Sequence, residues 1–222
     1  MKKIMFNDKY SLTQAVLEGR KTMTRRIIEI DEDVRFPIIR FRPLEDWERK
    51  KVNLSYVFNG NVYAVYNELD LLCHLVKPMY KLGEVVAIAQ SYSDVDQFHR
   101  KGKSAAYLEY LVSMLPELKL YPGWGNKMFV QTDLMPHHIE ITGVKVERLQ
   151  DISDEDCLKE GIIHAYTTND GIRIYHTPNE KKGYLSTDVA QEAFAYLIDK
   201  VSGKGTWESN PYVFAYEFKL VD

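Results

Sequence analysis

Residues 20–26 read Arg20-Lys21-Thr22-Met23-Thr24-Arg25-Arg26, four cations and two threonines with no acid among them, in a chain whose net charge is −3. Guanidinium groups and hydroxyls set close together form a receptor for a phosphate or a polarised carbonyl oxygen. The stretch follows a predicted helix, whose electronegative C-terminus accounts for a basic residue or two. Four cations exceed that need. On a regular strand Thr22, Thr24 and Arg26 share one face and Lys21 takes the other. Lys21 and Thr24 therefore converge only if the chain turns or bulges between them, and a loop just past Gly19 permits this.

Other residues of chemical interest carry less. His137 and His138 are adjacent, a spacing that rarely serves one metal ion, and no acid lies at a helpful distance. Cys73 and Cys157 are far apart and lack a CxxC spacing, so neither a disulfide framework nor a zinc site is expected. Cys157 has no adjacent histidine and reads as packing. Trp124, in Pro-Gly-Trp-Gly, suits capping a core better than stacking on a base. The charge run at 45–51 mixes signs, as a solvated face does.

The elements that must position the basic stretch can be read from pattern. Ile4–Phe6 suggests a short strand. Ser11–Glu18 suggests a helix capped by Ser11 and closed by Gly19. Glu84–Gln90 reads as a buried strand. Ile139–Leu149 alternates as a strand, with a bulge at Gly143. Ser153-Asp154-Glu155-Asp156 opens a short acidic helix that Gly161 ends. Thr187–Val201 is a longer helix with Val189, Ala193, Phe194, Leu197, Ile198 and Val201 on one face, and Tyr212–Leu220 is the last strand. Three polar or tyrosine-rich stretches read as insertions: 31–78, with a hairpin turn at Asn59-Gly60-Asn61; 93–123, with a helix over Lys103–Leu115; and 164–184, as a hairpin. Short strands with few helices between them predict one α+β domain, 1–222, built on a small barrel or curled sheet rather than a doubly wound one.

Composition bounds the function. The chain has 222 residues, of which 45% are hydrophobic, enough for a sizeable core. A pI near 6.1 argues against a protein that coats polyanions, while leaving room for a pocket holding one phosphate or nucleotide. Fifteen tyrosines suit β-structure first. The lysines at the N-terminus are followed by Asn7, Asp8 and Lys9 before an apolar region develops, unlike a signal peptide. No apolar run reaches the ~20 residues of a membrane helix. The expectation is a cytoplasmic protein with no membrane partner, no metal and no cofactor.

Four motifs, in order, carry a family resemblance: Gly-Arg-Lys-Thr-x-Thr-Arg-Arg at 19–26; Leu82-Gly83-Glu84 before a strand; Val146-Glu147-Arg148-Leu149-Gln150-Asp151-Ile152-Ser153 leading to Asp154-Glu155 and Glu160-Gly161; and Trp207-x-x-Asn210-Pro211-Tyr212-Val213-Phe214, ending in Glu217-Phe218. Together they resemble ASCH-domain proteins of the PUA-like superfamily, especially the bacterial branch associated with phages and mobile elements. The resemblance covers about half of the chain. It implies a PUA-like β-barrel with flanking helices and a cleft for RNA or a modified nucleoside. It also implies an amidohydrolase activity on N4-acetylcytidine, with Lys21, Thr24 and Glu160 as the catalytic residues. Arg20, Thr22, Arg25 and Arg26 are the candidate holders of a nucleic-acid anion. The residue types suit that chemistry: Thr24 attacks the acetamide carbonyl, a lysine of depressed pKa takes its proton, and Glu160 serves the leaving amine. A non-catalytic RNA-binding module or an accessory interaction protein of a mobile element are the alternatives. Where relatives carry an Arg-Glu-Thr-Trp-like stretch, this chain has Ala89-Gln90-Ser91-Tyr92, with neither charge.

Overall fold

The computed structural model describes residues 1–30, 38–45, 62–67, 69, 71–102, 122–178 and 185–221. The predicted turn at Asn59-Gly60-Asn61, the helix over Lys103–Leu115 and most of the charge run at 45–51 lie outside these residues. The fold is α+β. Its main sheet has the order β1-β6-β7-β11-β2, formed by β1 (Lys3–Ile4), β2 (Met23–Ile27), β6 (Val85–Ile88), β7 (His138–Arg148) and β11 (Tyr212–Leu220). Strand β1 runs parallel to β6 and every other pairing is antiparallel. Among the described residues the sheet stays open, with β1 and β2 at its edges, so the expected barrel is not closed by strand pairing.

Strand β11 lies between β7 and β2. Its aromatic and branched residues favour extended backbone, and its two neighbours occupy its edges while the core packs against its faces. Val213, Phe214, Ala215 and Tyr216 are consequently all buried. The register of β7 against β11 slips by one residue where Glu217 faces Gly143 and Phe218 faces Ile141, a bulge at the glycine expected to mark one. Two further three-stranded sheets lie mostly in stretches read as insertions, the second running from Ile163 to Thr187 and so past the expected bounds of 164–184. One pairs β3 (Ile38–Pro43), β4 (Tyr63–Asn67) and β5 (Leu72–Val76); the other pairs β8 (Ile163–Thr167), β9 (Arg173–His176) and β10 (Ser186–Thr187).

Helices α1 (Leu12–Leu17), α3 (Asp154–Lys159) and α4 (Ala190–Ser202) cover the sheet, with α2 (Tyr92–Gly102) after β6 and α5 (Thr206–Ser209) before β11. Leu12 and Val16 of α1, Cys157 of α3, and Ala193, Phe194, Leu197 and Ile198 of α4 join Ile4, Ile88, Ile141 and Tyr216 in one apolar core. Val189 and Val201, expected on that face, are 40% and 36% exposed. Val189 only precedes the helix, and Val201 lies in its last turn. Ser11 does not cap α1 with its side chain. It sits in the left-handed region at φ 53° because a one-turn helix, Asp8–Tyr10, runs directly into it and takes its N–H on the Asp8 carbonyl. Gly19 does end α1, at φ +72°. No helix of the described residues is long and apolar enough to cross a membrane.

Candidate active site

The basic stretch begins before the strand does. Arg20 N–H and Lys21 N–H both donate to the Ala15 carbonyl, and Thr22 N–H donates to the Lys159 carbonyl. Lys21 is therefore held in the turn between α1 and β2, tied to the end of α3, and strand alternation starts only at Met23. This turn removes the obstacle to convergence: Lys21 and Thr24 line the same pocket, with Arg25, Arg26 and Glu160. Phe194, Leu197, Ile198 and Val201 of α4 form an apolar wall, Met5, Phe6 and Leu12 add to it, and Asn7 and Ser202 are the remaining polar lining residues. The pocket has a volume of about 60 Å³, room for roughly four to six waters. It admits an acetyl-sized group and not a whole nucleoside.

Glu160 caps the C-terminus of α3, and Gly161 follows it at φ +105°. A side chain at 161 would be strained in that conformation. It would stand at ordinary contact distance, 3.4 Å from Leu12 and 3.8 Å from the Lys21 side chain, so the demand for glycine comes from the backbone conformation and not from lack of space. Lys21 Nζ donates to Glu160 Oε2 at 2.5 Å and to the Glu160 backbone carbonyl at 2.8 Å. Both side chains are almost fully buried, at 2% and 6% exposure. Burial holds the Lys21 ammonium below the usual lysine range; the facing Glu160 carboxylate opposes this, and the charges of Arg26 and Arg25 add to the lowering. The Phe6 ring lies 5.9 Å from Nζ, which helps to keep water away.

Arg25 alternates to the sheet face opposite Thr24, although at this edge of the sheet it too borders the pocket. Its Nη1 donates to the other Glu160 oxygen, Oε1, at 3.1 Å. Its Nε and Nη2 reach Glu147 Oε1 at 2.9 and 2.6 Å, and Nη2 also reaches Asp156 Oδ2 at 3.0 Å. The register explains how a residue of β2 meets residues of β7. Ala215 of β11 pairs with Arg25 on one side and Lys145 on the other, and its small side chain lets both cations reach across to Asp156. Lys145 Nζ lies 2.8 Å from Asp156 and 3.0 Å from Glu147. Burial works against the Arg25 charge, but the carboxylates of Glu160 and Glu147 outweigh it and raise the pKa further.

The candidate residues thus separate. Lys21, Thr24 and Glu160 come together. Arg26 lines the pocket and donates from Nη2 to the Met5 carbonyl at 2.6 Å. Arg25, expected to hold a nucleic-acid phosphate, has its guanidinium taken up by three carboxylates. Arg20 is exposed and paired with Glu18 at 2.5 Å, outside the pocket. Thr22 contributes its backbone, accepting the Phe218 N–H as well as donating to Lys159. Thr24 is 5% exposed, and its hydroxyl makes no hydrogen bond to any described residue. Sequence reasoning missed Glu147 and Asp156 as partners of Arg25, and Lys145 as a second cation on the same two carboxylates. Glu147 and Asp156 were read within a motif and a helix start, and only the sheet register brings them to Arg25.

Cys157 is buried among apolar groups, which push its thiol up to about 12, out of reach of nucleophilic work near neutrality. Gln90 is buried with its Oε1 unpartnered. Among the described residues no group of three or more His, Cys, Asp or Glu is placed to hold a metal ion. Comparison with known families, with curated proteins and with solved structures returns no match for this chain.

Proposed function

We propose that the chain is an ASCH-type amidohydrolase with a PUA-like core, hydrolysing the N-acyl group of a modified nucleobase or nucleoside of the N4-acylcytidine type. The observation that carries the reading is the pocket itself. An unpartnered threonine hydroxyl shares an acyl-sized space with a buried lysine, and that lysine is bonded at 2.5 Å to a buried glutamate. The reading is also supported by where the resembling motifs fall, on β2, before β6, on β7 and α3, and on α5 and β11. All of these belong to the main sheet or the helices beside it.

The chemistry follows from the proton positions. Lys21, which burial holds below the usual lysine range, acts as the free amine: its two N–H groups donate to the Glu160 carboxylate and backbone carbonyl, which leaves its lone pair for the pocket. Lys21 takes the Thr24 hydroxyl proton as Oγ1 attacks the acyl carbon. The oxyanion that forms lies in the field of Arg26. The C–N bond then breaks as Lys21 returns that proton to the departing amine, leaving an acyl-Thr24 ester. Water, giving a proton to Lys21, attacks the ester carbon; Lys21 returns that proton to Thr24 Oγ1 as it leaves, which releases the carboxylic acid and restores both residues. The α4 wall excludes bulk water from these steps and receives the apolar end of the acyl group.

A phosphate-binding RNA module has less support. It needs free cations in the basic stretch, and Arg20 and Arg25 are already paired with carboxylates. The test is release of acetate from N4-acetylcytidine by the purified chain. Turnover is expected for the wild type, with a loss of at least about 100-fold in Thr24→Ala and Lys21→Ala. Absence of turnover at high enzyme concentration, or turnover that survives Thr24→Ala, overturns the proposal.

A further inference from the structure

The pocket is too small for the amine half of any such substrate, so that half must lie elsewhere. A second, wider cavity of about 420 Å³ is lined by Arg26, Ile28, Val76, Lys77, Met79 and Phe214. This is the size of an ordinary small-molecule site. Arg26 belongs to both cavities. Thr24 and Arg26 are two residues apart on β2 and so share a sheet face. Their partners across the register are Tyr216 and Phe214, both of which also line the wider cavity. The reactive hydroxyl and the cavity therefore stand on one continuous surface. The field of Arg26 joins them too, acting on Lys21 on one side and on Tyr80 and Tyr216 on the other.

The charges of this cavity stand apart from those around Arg25. Lys77 is exposed and makes no hydrogen bond or ion pair with any described residue. Arg26 bonds the Met5 carbonyl but no carboxylate among them. The acid in the lining, Glu29, is exposed and likewise unpaired. Two cations without counter-ions, beside the apolar surface of Ile28, Val76 and Met79, suit a flat ring that carries an anion. Resting on the hydrolase reading, we infer that this cavity binds the amine half of the substrate, a heterocyclic amine bearing a phosphate. The phosphate lies on Lys77, and the acyl group points past Arg26 to Thr24. The substrate class is then an acylated nucleotide rather than the free nucleoside.

Binding of the amine half is measurable without any turnover. In calorimetric titrations at low salt, the wild-type chain is expected to bind cytidine 5′-monophosphate at least about tenfold more tightly than cytidine, the low end of what a charge-assisted contact gives. Lys77→Ala removes most of that preference and Lys77→Arg keeps it. Glu29→Gln enlarges it by withdrawing a like charge from the anion, and added salt shrinks it. Equal affinity for the two ligands, or a preference that survives Lys77→Ala, overturns the inference. A phosphate preference that depends on Lys77 in a chain with no acyl turnover upholds this cavity while refuting the hydrolase reading. Turnover of N4-acetylcytidine with no phosphate preference does the reverse.

Discussion

On one side of β2, Arg25 meets the carboxylates of Glu147, Asp156 and Glu160 within 3.1 Å. On the other side, Thr24 has no hydrogen-bond partner and Arg26 no carboxylate partner among the described residues. Adjacent positions of one strand thus serve opposite ends. The Arg25 side is saturated: each buried charge faces its opposite, and Lys145 and Lys159 extend the network to the surface. The Thr24 side is left open, with unused hydrogen-bonding capacity facing space. Glu160 joins the two, giving one carboxylate oxygen to Arg25 and the other to Lys21. The saturated side holds still the group that the open side uses.

The largest way to break this contrast is Arg25→Ala. It leaves three carboxylates clustered without their shared cation, and removing one partner of a buried ion pair costs about 3–5 kcal/mol. For a chain of this size that is a fall of roughly 6–20 °C in melting temperature, readable by thermal unfolding. Arg20→Ala, which breaks an exposed pair with Glu18, should shift stability by no more than about 1 kcal/mol. Equal effects for the two arginines would refute the division between them.

Acid sharpens the same contrast. Burial tends to raise the Asp156 pKa, but the hydrogen bond and charge of Lys145, with those of Arg25, lower it below the ordinary 3.8. The group is deprotonated more readily in the folded than in the unfolded chain. Its contribution is therefore complete above about pH 3.8 and is lost as the pH falls through the lower folded value. Asp156→Asn should cost about 2 kcal/mol at neutral pH, the scale of a hydrogen bond to a charged group. The variant should then lose less stability than the wild type on acidification below about pH 3.8. Denaturant titrations at pH 7 and pH 3 test both halves, and parallel losses in the two proteins would show that Asp156 is not the titrating element.

How much of this was legible in the sequence follows from the range of each interaction. β11 appears with the bounds read from its alternation, and the glycines after α1 and α3 lie where those helices end, because these are local properties of the chain. Lys21 and Thr24 were marked by a local excess of charge and hydroxyls. Strand periodicity set them on opposite faces, since nothing local shows that β2 begins only at Met23. The role of Arg25 was misread for a different reason. Its partners lie 122, 131 and 135 residues away, and no pattern within the basic stretch separates a cation that is paired in the fold from one that is free. Sequence patterning registers where charge is, while the sheet register decides which of it is cancelled.

The smallest stability effect is the most informative about the open side. Thr24→Val replaces the hydroxyl with a methyl of similar shape on a strand, where a branched residue is at home. Such a swap normally costs stability because it breaks a hydrogen bond. Here there is no partner among the described residues to lose, and the hydroxyl opens onto the pocket. Thr24→Val is therefore expected to change stability by no more than about 1 kcal/mol, while abolishing acyl release. A group whose removal costs little stability and ends activity is held in place for its chemistry. A loss of about 2 kcal/mol or more in Thr24→Val would mean that the hydroxyl is bonded within the fold, and β2 would then carry a structural residue on each side.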